Sequence, residues 1–138
     1  MGRIVAIDYG QKRTGLAVTD ELKIIATGLT TVRSMDVLAF LTDYISKNEV
    51  ECFVVGEPTQ MNNTPSESAK FIEPFVKKLS TVFPGIPVKR QDERFTSLMA
   101  AQAIRDAGLK KKARRDKALV DTVSATIILQ SYMENVKK

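Results

Sequence analysis

The chain has 138 residues, 43% hydrophobic and 27% charged, with a single cysteine and no histidine or tryptophan. This is the composition of one globular domain over residues 1–138. It excludes a disordered chain, an intrachain disulfide, a Cys/His zinc site and every nucleophile system that needs histidine. The net charge of +5 lies wholly in residues 86–138, which carry +6 against −1 for residues 1–85, and a one-sided basic excess points to a polyanionic partner, most often nucleic acid.

Arg3–Asp8 (RIVAID) opens polar and turns apolar, the pattern of a largely buried strand, and Gly10 breaks it. Leu16–Thr19 predicts a second strand and Ile24–Val32 a third, joined through a polar Asp20-Glu21 turn. Three sequential strands with short connections make an antiparallel meander. Ser34 has the chemistry of a helix N-cap, and Val37, Leu38, Leu41 and Ile45 follow at helical spacing. Cys52–Val55 is a continuous apolar run ending at Gly56, which predicts a central strand buried on both faces. Thr64-Pro65-Ser66-Glu67 forms a capping box with proline at the first helical position. The helix it opens should bury Ile72, Phe75, Val76, Leu79 and Phe83, with a kink at Pro74. Pro87–Gln91 predicts another strand. Thr96 caps a helix ending at Gly108, and the last helix runs from about Asp116 to Glu134. The order βββαβαβαα predicts an α/β fold: a five-stranded mixed sheet, antiparallel meander plus parallel strands, with helices on both faces. No apolar run approaches the ~18 residues of a membrane span, so a cytoplasmic protein without a membrane partner is expected.

Three acids fall where such a sheet gathers its ligands. Asp8 ends the first strand, Glu93 follows the strand before it, and Asp121 interrupts the apolar stretch ALVDTVSATIIL of the last helix. An ionised acid inside an apolar segment costs free energy unless it is paired or binds a cation. Each acid alone has an ordinary reading: Asp8 capping the Gly10 turn, Glu93 pairing with Arg90 or Arg94, Asp121 pairing with Lys117 one turn earlier. Together, in a chain without histidine, they point to a hard divalent cation held through oxygen. Lys110, Lys111, Lys112, Arg114, Arg115 and Lys117 form a dense basic cluster leading into the helix of Asp121, suited to backbone phosphates. Cys52 reads as a small core residue.

DYGQKRTGLAV fits the pattern D-x-G-x-x-R-x-G-x-A through Asp8, Gly10, Arg13, Gly15 and Ala17. VVGEP, DERFTS and VDTVSATIILQSY follow in order. With these four segments the chain resembles, over essentially its whole length, the YqgF family, also called RuvX: ribonuclease H-like domains described as Holliday junction resolvases and as nucleases maturing pre-16S rRNA. The resemblance implies a ribonuclease H-like fold and an acidic triad of Asp8, Glu93 and Asp121. It also implies hydrolysis of phosphodiester bonds, in maturation of the 5′ end of pre-16S rRNA or in resolving branched DNA, leaving 5′-phosphate and 3′-hydroxyl ends. Such a site holds two Mg²⁺ ions ~3.5–4 Å apart, with Mn²⁺ able to substitute and Asp8 as the bridging ligand. Arg13 and Arg94 match family positions near phosphate, and the ribosome becomes a possible partner. Two departures stand out. Glu57 occupies a position between Gly56 and Pro58 that is usually apolar, a fourth acid beside the site. Ala118 stands where related RuvC-type resolvases carry another acid one turn before the last. Two other readings share features with this one. Sugar kinases and ATPases of the same superfamily use a D-x-G phosphate loop but need two large lobes, which 138 residues do not supply. A non-catalytic nucleic-acid-binding protein would keep the acids without the cleavage.

Overall fold

A computed structural model of the chain describes residues 2–57, 69–92 and 117–137. The strands are β1 (Arg3–Tyr9), β2 (Arg13–Thr19), β3 (Ala26–Arg33), β4 (Val50–Glu57) and β5 (Val88–Asp92). The helices are α1 (Val37–Lys47), α2 (Ala69–Val82) and α3 (Lys117–Lys137), and a 3-10 turn at Ser34–Asp36 leads into α1. The strands form one sheet of order β3-β2-β1-β4-β5. β1–β2 and β2–β3 pair antiparallel, while β1–β4 and β4–β5 pair parallel. This is the mixed sheet expected from the sequence, with β1 at its centre.

Strand alternation sorts the core into two layers. Val5 and Ile7 of β1, Leu16 and Val18 of β2, and Phe53 and Val55 of β4 face α1 and α2, packing on Val37, Leu41, Ile72, Phe75 and Leu79. The intervening Ile4, Ala6, Ala17, Cys52 and Val54 face α3 and pack on Ala125, Ile128, Leu129 and Met133. β1 and β4 are therefore buried on both faces, which is why RIVAID and CFVV read as apolar runs. The sheet side of α3 is lined by small residues, Ala6, Ala17 and Gly28. A Cβ at Gly28 would lie 2.6 Å from Thr122 Cγ2 and 3.2 Å from Thr126 Oγ1, so the helix rests directly on the β3 backbone there.

The structure differs from the sequence expectations in three places. β2 begins at Arg13 rather than Leu16, because Thr14 and Gly15 pair with Tyr9 and Asp8 across the meander. β3 begins at Ala26 rather than Ile24. Asp20 Oδ1 accepts hydrogen bonds from Ile24 N at 2.7 Å and Ile25 N at 2.9 Å, holding both in the turn, and their side chains are exposed. Ser34 is not the N-cap of α1. That position is Asp36, without a side-chain capping bond, and the Ser34 hydroxyl is used elsewhere. The helix predicted to end at Gly108 and the capping box at Thr64–Glu67 lie outside the described residues. Among the described residues no helix is long and apolar enough to cross a membrane.

Candidate active site at the end of the central strand

Asp8 is the last but one residue of β1, half-buried at the end of the central strand. Alternation continues the series Ile4, Ala6, Asp8 on the face covered by α3. Its cross-strand partner on β2 is Gly15, whose own partner on β3 is Thr31. On the other side, β4 places Gly56 directly after Val55, the partner of Ile7. Asp8 is thus flanked by glycine on both neighbouring strands.

α3 delivers Asp121 to the same end of the sheet. Thr122 Oγ1 lies 2.6 Å from Thr31 Oγ1, in the row of Asp8 and Gly15. At the other end Tyr132 is hydrogen-bonded to Cys52, which pairs with Ile4. The helix therefore runs antiparallel to β1, its start over Asp8 and its end over Ile4. The lengths agree: ten helical residues rise about 15 Å, and four strand residues about 13 Å. Asp121 precedes Ala125 by four residues and Ile128 by seven, which sets it on the sheet-facing stripe of the helix. The candidate positions Asp8 and Asp121 thus come from opposite ends of the sequence to one end of one sheet face.

Glu93 follows Asp92, the last residue of β5, and lies outside the described residues with Arg94, Lys110, Lys111, Lys112, Arg114 and Arg115. Lys117 is the first residue of α3. Glu57 ends β4, in register with Asp92. Arg90, one candidate partner for Glu93, pairs with Glu73 at 2.8 Å. Among the described residues no three acidic or thiol side chains cluster. Within them the donor set is the hard carboxylate oxygen of Asp8 at the end of β1, with the Asp121 position on the helix above it. That chemistry fits Mg²⁺ or Mn²⁺ and does not fit a soft metal.

The loop joining β1 to β2 is held by bonds that sequence reading missed. Ser34 Oγ donates to the Gly10 carbonyl, and Thr14 Oγ1 donates to Ser34 Oγ at 2.8 Å. Ser34 N donates to the Lys12 carbonyl at 3.0 Å. A Cβ at Gly10 would lie 2.5 Å from the Arg13 carbonyl oxygen, so only glycine fits this tight turn. Below the loop, Tyr9 stacks on Phe75 of α2, ring centroids 4.1 Å apart. Arg13, half-buried at the start of β2, is fixed two residues from Gly15. The Ser34 bonds and the Tyr9–Phe75 stack join residues 20 or more positions apart, and no local pattern announces them.

A family model described as RuvX, Holliday junction resolvase, matches residues 2–135. A protein of Porphyromonas gingivalis, named "Putative pre-16S rRNA nuclease", is 62% identical over 135 residues, covering 98% of each chain. One of the same name from Flavobacterium psychrophilum is 59% identical over 133 residues, 96% of this chain and 97% of the relative. Among solved structures, T. thermophilus RuvC in complex with a Holliday junction substrate superposes with a TM-score of 0.60 at 19% identity, over 99% of this chain and 96% of that one. At that identity the likeness concerns the fold, which is ribonuclease H-like.

Proposed function

The chain belongs to the RuvX family, and from that premise we propose that it is a divalent-metal-dependent nuclease that hydrolyses phosphodiester bonds in structured nucleic acid, maturing the 5′ end of pre-16S rRNA. The observation that carries the reading is the placement of Asp8: a half-buried carboxylate at the end of the central strand, flanked by Gly15, beneath the helix that brings Asp121 to the same end.

Asp8, Glu93 and Asp121 would hold the metal, Mg²⁺ with Mn²⁺ able to replace it. Bound there, the metal supplies an activated water and charge stabilisation at the phosphate. The rest of the work belongs to the chain. Asp8 sits on the central strand, a rigid element that holds its position. The glycines beside it leave room for a phosphate to approach. Arg13, which opens β2 directly after the loop tied down by Ser34, presents a guanidinium to a phosphate oxygen. The basic cluster Lys110, Lys111, Lys112, Arg114, Arg115 and Lys117, with Arg94, holds flanking backbone phosphates and gives affinity without reading sequence. Its composition favours a nucleic-acid partner, in the cytoplasm where ribosomes are assembled.

A second reading, resolution of branched DNA, is favoured by the description of the matching family and by the RuvC fold. Labelled precursor 16S rRNA and a labelled four-way DNA junction, each incubated with the protein in Mg²⁺ and in EDTA at fixed salt, separate the readings. The expected result is cleavage of the rRNA precursor near its mature 5′ end, in Mg²⁺ only. Symmetric nicking of the junction alone would favour the second reading, and binding without cleavage of either would reduce the protein to a binder.

A further inference from the structure

Resting on the nuclease reading, we propose that Lys12 and Arg33 build a second phosphate-binding groove on the outer, β3 side of the site, for the sugar-phosphate backbone of the strand that flanks the bond to be cut. A shallow cavity of about 430 Å³ opens there, lined by Gln11, Lys12, Arg13, Arg33 and Met35. Three of its five lining residues are cationic and none is acidic. Among the described residues neither Lys12 nor Arg33 makes an ion pair. Two cations, Lys12 and Arg33, without a carboxylate partner carry a local positive potential suited to a polyanion.

The cluster is assembled before any ligand arrives. Arg13 and Arg33 are direct cross-strand partners, which places Arg33 beside the loop that carries Lys12. Ser34 N holds the Lys12 carbonyl, and Ser34 Oγ holds that of Gly10, so the loop carrying Lys12 is fastened to the end of β3 that carries Arg33. The Arg33 guanidinium donates from Nη2 to Met35 Sδ at 2.9 Å, which orients it toward the cavity rim. A phosphate seated between Lys12 and Arg33 meets both cations, and the preformed loop loses little freedom on binding.

The position follows from the register. Asp8 pairs with Gly15, and Arg13 is two residues further along β2, about 7 Å away at strand rise. Arg33 lies one strand beyond, about 4.8 Å more. Nucleic-acid backbone advances about 3.4 Å per nucleotide along a duplex, so a phosphate in the groove is a few nucleotides from one at Asp8. The groove lies beyond β2, whereas β5 lies on the far side of β1. Substrate reaching from the groove toward β5 would cross the end of the sheet, over Asp8.

The test is binding in EDTA, which needs no cleavage. Fluorescence anisotropy with a labelled four-way DNA junction and a labelled RNA hairpin bearing a single-stranded extension is followed from 50 to 300 mM salt, roughly the range over which phosphate contacts weaken. Lys12→Gln/Arg33→Gln should raise Kd about tenfold on the preferred probe and flatten the log–log salt slope by about 2 units, one per lost contact. Lys77→Gln/Lys78→Gln, which removes the same charge from exposed positions on α2, should leave the slope near that of the parent. Melting temperatures close to the parent's verify folding, and Lys12→Gln alone, a change on an exposed loop, should give about half the slope change. If the parent binds and the Lys12/Arg33 variant binds equally well with the same slope, this groove is overturned and the nuclease reading stands. If the control variant changes as much as the Lys12/Arg33 one, the effect is general charge and the groove is again overturned. A parent that binds neither probe overturns both.

Discussion

Ser34 holds the Gly10 carbonyl and accepts from Thr14, whose side chain is fully buried. Ser34→Ala strands both groups, and an unsatisfied buried polar group costs about 1–3 kcal/mol. Urea unfolding should show a loss in that range at unchanged m-value; a loss under ~0.5 kcal/mol would mean that water replaces the hydroxyl. Cleavage should fall as well, because Lys12 rides on the loop that Ser34 fastens and Arg13 directly follows it. Read from sequence, Ser34 before an amphipathic run signals an N-cap. It caps nothing because its partners, 20 and 24 residues away, exist only once β1, β2 and β3 are paired. Cys52 was legible, since a small apolar residue in CFVV has one natural place. Burial pushes its thiol above the ordinary range, outweighing the hydrogen bond from Tyr132. The native thiol should therefore stay protonated at pH 8 and resist a disulfide reagent until the protein unfolds. The unfolded chain ionises at lower pH than the native one, so this group's contribution to stability is complete below the ordinary thiol pKa and is lost as pH rises past it. Rapid labelling of native protein at pH 8 would contradict the buried placement.

At the level of elements, the contact that matters most for the site is α3 on β3. Gly28→Ala puts a methyl group 2.6 Å from Thr122 Cγ2, a β-branched side chain with little freedom to turn away. Overpacking of this kind costs about 1–3 kcal/mol. The helix can relieve it only by lifting from the sheet, next to the Asp121 position. Stability and kcat should fall together while nucleic-acid binding through the basic segment is kept. A variant of parental stability and turnover would show that α3 tolerates displacement. The elements themselves were legible where burial was two-sided or helical, as in β1, β4 and the Ile72, Phe75, Leu79 face of α2. Their edges were not. Ile24 and Ile25 read as strand because they are apolar, yet the Asp20 carboxylate takes their backbone N–H groups and they stay exposed in the turn. Hydrogen bonding to Ile25 first, and to Ile24, lowers the Asp20 pKa, so the turn is firm above the ordinary carboxylate range and loosens in acid. Arg13–Gly15 read as loop because glycine is a poor strand former, and only pairing with Asp8 and Tyr9 makes them strand.

Over the whole molecule, the fold joins the two ends of the sequence at one end of one sheet face. β1 and α3 are the first and last elements, and their antiparallel stacking across Ala6, Ala17, Ala125 and Ile128 brings Asp8 and Asp121 to the same end of the sheet. Asp8 and Asp121 were legible as candidates because each stands at a place where an apolar pattern should continue. Lys12 and Arg33 were not, since an isolated cation in a loop or at a strand end carries no pattern until the meander closes and sets them side by side. The central claim is that Asp8 holds the metal that cleaves the strand, and one comparison tests it most directly. Asp8→Asn keeps the shape and removes the charge. Measured in Mg²⁺ on the substrate that the parent cleaves, its rate should fall by at least 10³, roughly 4 kcal/mol of transition-state stabilisation. Its Kd for that substrate in EDTA should stay within about threefold of the parent's, since backbone phosphates and basic side chains carry the affinity. Cleavage within tenfold of the parent, from protein shown free of contaminating nuclease, would contradict the account.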